Sequence, residues 1–134
     1  MTTAALTQEE MAHYEAAVGR TMEERATLAP EIAARFASTL GDIHFPTGDG
    51  LALGRQWAFF LPVVTKGTTG PDGHPLRGGF IPAIRLERRM FAGGSMRRSG
   101  EVRLGVETEK TTRIESVERK TGAQGDLVFV EVVM

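Results

Sequence analysis

Apolar and polar positions divide the chain into a helical first half and an extended second half. Thr7-Gln8-Glu9-Glu10 has the form of a capping box, in which Thr7 takes the N3 amide and Glu10 reaches back to the N-cap amide. Met11, Tyr14 and Val18 follow at helical spacing, which predicts a short helix ending near Gly19. Arg20–Thr27 alternates loosely and reads as a strand. Pro30 suits a first helical turn, Ile32, Phe36 and Leu40 share one stripe, and Gly41 suits a C′ position. Together they predict a helix over Pro30–Leu40. A third helix is expected through Leu51, Leu53, Trp57, Ala58 and Leu61, stopped by Pro62. It is apolar nearly all round, as befits a helix wrapped by other structure.

The connectors are equally patterned. Asp42–Gly50 is rich in turn residues, and Lys66–Pro82 carries five glycines and three prolines, so it is expected to be a long loop. After Pro82, Leu86–Ser99 and Val106–Arg119 read as long strands separated by a turn at Gly100–Gly105, and Thr121–Gly125 is a second turn. Asp126–Met134 is apolar on both faces, which suits a strand in the middle of a sheet. Such a strand needs two neighbours, and only one is evident. The polypeptide is therefore expected to continue, or the missing strand to come from elsewhere. Helices followed by antiparallel strands give an α+β class, with an N-terminal helix over residues 1–18 and one domain over residues 19–134.

Composition narrows the chemistry. The chain has 134 residues and no cysteine, which excludes disulfides, thiolate metal sites and a cysteine nucleophile, and fits a reducing cytoplasm. No apolar run approaches the roughly 20 residues of a membrane helix, and the first ten residues lack a signal-peptide pattern. Net charge is −1, but its distribution is uneven. Met1–Gly50 holds eight acids and three arginines, whereas Leu76–Arg103 holds seven arginines and two acids. Such an arginine excess suits either a phosphate or carboxylate, or a charged outer face. No His, Asp and Glu cluster has metal-ligand spacing and no Walker or Rossmann glycine pattern occurs, so neither metal nor cofactor is expected.

Three segments carry a resemblance: Trp57–Pro62, Gly70-Pro71-Asp72-Gly73-His74-Pro75-Leu76-Arg77-Gly78-Gly79-Phe80, and Arg88-Arg89-Met90-Phe91-Ala92-Gly93-Gly94. They are similar to the N-terminal domain of the MaoC-like acyl-thioester dehydratases and hydratases, a family that includes mesaconyl-CoA and methylfumaryl-CoA hydratases and hydroxyacyl-thioester dehydratases. The hairpin Thr111–Ile114 to Leu127–Val130 resembles the family's as well. The resemblance implies a hot-dog fold, an antiparallel sheet wrapped around a central helix, preceded here by short helices. It also implies hydration of enoyl-thioesters, or dehydration of 3-hydroxyacyl-thioesters, on acyl-CoA or an acyl carrier. Two hot dogs work side by side in this family, so a second hot-dog domain or subunit is implied, in a homo- or hetero-oligomer.

The family's catalytic motif runs Gly-Asp, any residue, Asn-Pro, any residue, His, any residue, Asp. Gly41-Asp42-Ile43-His44-Phe45-Pro46-Thr47-Gly48-Asp49 is a degenerate copy. Asp42 matches the catalytic Asp, but Thr47 fills the histidine slot, and a threonine is no base near neutral pH. His44 stands two residues from Asp42, a spacing that suits a turn. This half is therefore expected to lack catalytic residues, wall the acyl pocket and contact the carrier.

The expected substrate contacts are His74, Arg77, Gly78, Gly79, Phe80, Arg88, Arg89 and Trp57. Each has a plainer reading. His74 lies between Gly73 and Pro75 and suits a turn, while Arg77 before two glycines suits a hinge with a solvated guanidinium. Arg88 and Arg89 point to opposite faces of a strand, so at most one enters a given site. Trp57 suits a core as well as a pocket. The alternative function is an acyl-ligand or carrier-binding hot dog without turnover. Nucleic acid is not expected, because the arginines are not interleaved with exposed aromatics and the pI is 6.3.

Overall fold

A computed structural model describes residues 5–40, 50–51, 53–71, 73–123 and 125–134. The described elements are helix α1 (Gln8–Glu15), strand β1 (Thr21–Thr27), helix α2 (Pro30–Leu40), the short 3-10 turn η1 (Arg55–Ala58), strand β2 (Glu107–Gly122) and strand β3 (Gly125–Val133). The three strands form one sheet in the order β1-β2-β3. The chain divides into two compact units, one of Met1–Met22, Val64–Phe91 and Thr111–Met134, the other of Glu23–Val63 and Ala92–Lys110.

In the first unit the capping box forms as its residues dictate. Thr7 Oγ1 accepts from the Glu10 amide at 3.1 Å, and Glu10 Oε2 accepts from the Thr7 amide at 2.8 Å. The helix then buries Met11 and Tyr14. With Leu6 and Ala17 they share a core with Ile114 and Val117 of β2, and Phe80, Ile84, Leu86, Val128 and Val130 pack around it. The hairpin is antiparallel, running from Arg113↔Val133 to Gly122↔Gly125, with a bulge between Ile114 and Ser116. The bulge puts Ile114 and Val117, three residues apart, both in the core.

The N-terminal segment is clipped to that hairpin. Asp126 Oδ2 accepts from the Leu6 amide at 2.7 Å and pairs with Arg119 at 2.9 Å, while Arg119 donates to the Leu6 carbonyl at 2.8 Å. The Leu6 amide, then Arg119 and Thr121, hold the Asp126 carboxyl below its ordinary pKa. The amide N–H and the carbonyl of a buried leucine are thus both satisfied.

The second unit has its own small core of Leu28, Leu51 and Phe59, packed by Ala33, Ala58, Phe60 and Leu104. Leu28 exchanges backbone hydrogen bonds with Gly105 and Val106, and the Leu51 amide donates to the Val102 carbonyl at 2.7 Å. Helix α2 packs on η1, and the Arg55 guanidinium lies 5.2 Å from the centre of the Phe36 ring.

Helix α2 and the β2–β3 hairpin appear where the residue pattern puts them. Two expected elements do not form. In place of a helix over Leu51–Leu61 there is only the one turn η1. Gly54 takes a left-handed φ of 88° and breaks the run before it starts, and Phe60 at φ 56° ends it. Trp57 and Leu61 are left more than half exposed, while Leu51 and Phe59 of the same segment are buried. Residues 86–99 carry no strand, because no described strand lies alongside to complete a ladder. Met90 and Phe91 are each 82% exposed. Among the described residues strand β3 lies at the edge of the sheet and not in its centre, since β2 holds the middle place.

Candidate functional site: an arginine-braced loop

The glycine- and proline-rich loop is ordered by its own backbone first. The Gly70 amide donates to the His74 carbonyl at 2.8 Å, Gly73 to Gly70 at 3.0 Å, and Leu76 to Thr68 at 2.9 Å, closing a tight turn that presents His74. His74 is exposed and carries a polar or electrostatic contact of its own.

Beyond the turn, arginines grip the chain by its carbonyls. Arg77 Nη1 donates to Ile84 O at 2.8 Å and also to Leu86 O, and Nη2 donates to Glu87 O at 2.6 Å. Arg20 Nη1 donates to Gly79 O at 3.1 Å and Phe80 O at 2.7 Å. Arg85 pairs with Glu10 at 2.6 Å, donates to Ala5 O, and its amide donates to Tyr14 Oη at 3.2 Å. The Arg85 guanidinium, then the Thr7 amide, lower the Glu10 carboxyl to about 2. A guanidinium suits this task because its planar fork presents several donors and never loses its charge. Phe80, Ile84 and Leu86 meanwhile sink partly into the core, so residues 77–87 are fixed from behind.

This arrangement gives each candidate residue a place. His74, Arg77, Gly78, Gly79, Phe80, Arg88 and Arg89 fall in the first compact unit; Trp57 falls in the second. Arg77 has its fork committed to three backbone carbonyls. Phe80 is half-buried against the core, and Gly78 and Gly79 are exposed backbone on the braced loop. Arg88 and Arg89 are exposed and engage no acid among the described residues. Among the described residues they are uncommitted cations next to this loop in sequence. Asp42, His44 and Thr47 lie outside the described residues. Among those described, no group of His, Asp and Glu is placed to hold a metal, and no helix is long and apolar enough to cross a membrane.

Sequence reasoning missed Arg20 and the Glu10–Arg85 pair. Arg20 sits 59 residues from its nearer carbonyl partner, and Glu10 sits 75 residues from Arg85, so no periodicity links them. The one local signal was Glu10 itself, already expected in the capping box.

Comparison with known sequences gives the class, an α+β hot-dog protein of the MaoC-like kind. Residues 54–134 match the hydroxyacyl-thioester dehydratase type 2 family, and the chain belongs to that family. It is also 40% identical, over 125 residues, to the mesaconyl-C(4)-CoA hydratase of Chloroflexus aurantiacus. That match covers 90% of this chain and 44% of the relative, so the chain spans less than half the length of the curated protein it resembles.

Proposed function

We propose that this chain is the supporting half of a double-hot-dog enzyme that hydrates enoyl-thioesters or dehydrates 3-hydroxyacyl-thioesters. The observation that carries the reading is Thr47 in the histidine slot of a chain otherwise so similar to a thioester hydratase. The relative's greater length supports a second half, which would bring the intact Asp and His. Those two residues would move the proton and orient the water, and backbone amides would stabilise the developing enolate.

The role left for this half is binding. The loop from Gly70 to Phe80 would lie against the thioester, with His74 as a positioned polar group. The braced carbonyls keep the backbone of Gly78 and Gly79 in place, and bare glycine backbone allows close approach to a ligand. Arg77 acts behind the loop, whereas Arg88 and Arg89 have free donors for the phosphates or carboxylate of an acyl-CoA or acyl carrier thioester. The chain would work in an oligomer, next to a second hot-dog domain or subunit.

Equilibrium dialysis against crotonyl-CoA, with the enoyl protons followed by NMR, tests this reading. Saturable binding without hydration is expected. Failure to bind either crotonyl-CoA or mesaconyl-CoA would contradict it.

A further inference from the structure

Arg20 is anchored through its own backbone before its side chain reaches the loop. The Gly19 amide donates to the Ile114 carbonyl at 2.9 Å, and the Arg20 carbonyl accepts from the Ile114 amide at 3.0 Å. Ile114 is fully buried, so the base of the arginine is tied to the core of the first unit. From there Nη1 donates to two successive carbonyls of the glycine loop, Gly79 at 3.1 Å and Phe80 at 2.7 Å. Arg20 engages no acid among the described residues, so its charge acts on these two peptides.

Both peptides are trans, and a planar trans peptide carries its N–H on the side opposite its carbonyl. Holding the Gly79 carbonyl therefore turns the Phe80 amide away from Arg20, and holding the Phe80 carbonyl turns the Ile81 amide away. Neither amide has a hydrogen-bond partner among the described residues. They differ in access. The Phe80 amide borders Gly79, where a Cβ would meet no atom within 4 Å, whereas the Ile81 amide lies between two large side chains. A cation on the carbonyl also polarises the peptide, which strengthens the N–H at its far side as a donor.

We infer that the Gly79–Phe80 peptide donates to a carbonyl oxygen of the thioester ligand, with Arg20 as the positioning residue that holds and polarises it from behind. The inference rests on the thioester reading above and adds to it a residue that touches no ligand. A neutral amide suits a neutral carbonyl, while the phosphates of the carrier are better matched by guanidinium forks. Gly79 is the point of close approach. Gly78 has a different task, since its φ of 97° turns the chain.

The parent chain, Arg20→Met, Arg20→Lys and Gly79→Ala are titrated with crotonyl-CoA and with CoA. Proton–nitrogen correlation NMR follows the Phe80 amide, and circular dichroism and thermal unfolding check the fold. Gly79 lies outside the left-handed region and has open space at its Cβ, so Gly79→Ala should unfold with the parent. Expected for the parent is a saturable downfield shift of the Phe80 amide proton. Arg20→Met should lose that shift and bind crotonyl-CoA about fivefold more weakly, the worth of one net hydrogen bond. Arg20→Lys, which keeps a charged donor, should recover most of both, and Gly79→Ala should weaken binding without a change in midpoint. A shift with crotonyl-CoA alone assigns the acceptor to the thioester carbonyl; an equal shift with CoA assigns it to an amide carbonyl of the carrier arm. Parent-like affinity and Phe80 shift in Arg20→Met, or parent-like binding by Gly79→Ala, would overturn the inference while leaving the proposed function standing. A parent that binds no thioester overturns both.

Discussion

The carboxylate of Glu10 and the guanidinium of Arg85, 75 positions apart in the chain, meet at 2.6 Å and join the first turn of α1 to the braced loop. The contact makes the fold acid-sensitive in a definite direction. Arg85 lowers the folded carboxyl from 4.5 to about 2, so the unfolded chain takes up the proton first as pH falls. The contribution is complete above the ordinary carboxylate pKa and is lost as pH falls through the folded value. Urea midpoints measured from about pH 6 down to about pH 2 should therefore fall more steeply in the parent than in Glu10→Gln. Parallel curves would show that the pair adds nothing.

Arg77 and the Arg88–Arg89 pair should separate stability from binding. Arg77→Ala strips a charged donor from three carbonyls, and hydrogen bonds to charged groups contribute about 1.5–3 kcal/mol. Thermal unfolding should register a loss of that order, and Arg77→Lys should recover little of it, since an ammonium has no planar fork. Arg88→Gln with Arg89→Gln touches exposed side chains and should shift stability by no more than about 0.5 kcal/mol. It should weaken thioester binding instead. Unchanged binding in that double variant would remove both arginines from the site.

Strand β3 offers a surface for association. Its Val128 and Val130 face the core, while Leu127, Phe129 and Val133 on the other face are 51%, 37% and 49% exposed. Its outer edge has no partner strand among the described residues. An apolar edge strand of this kind needs cover. Light scattering at micromolar concentrations should report a dimer, a larger assembly or a complex with a second hot dog. Leu127→Glu with Val133→Glu should lower the mass and keep the circular dichroism spectrum. A monomeric parent would contradict this.

The elements legible in the sequence are those fixed by local chemistry. Thr7 and Glu10 announce α1, Pro30 begins α2 at the residue expected, and alternation about the Gly122 turn gives the hairpin. The failures occur where the outcome depends on distant chain. Residues 51–61 are apolar enough for a wrapped helix, but backbone conformation at Gly54 decides against it. Residues 86–99 are extended enough for a strand, and only the presence of a neighbour would make them one. The site divides in the same way. Its glycine loop and arginine excess are visible as composition, yet the sequence gives no sign that Arg77, Arg85 and Arg20 spend their donors within the fold while Arg88 and Arg89 do not.

The central claim is that this half binds and a second half turns over. Hydration of mesaconyl-CoA and crotonyl-CoA should be followed for the isolated 134-residue chain, and again after adding a hot dog with an intact Asp and His motif. Alone, the chain should give no hydration above background, and the mixture should turn over at a rate that depends on both components. Robust turnover by the isolated chain, abolished by Asp42→Asn or His44→Ala, would contradict the claim.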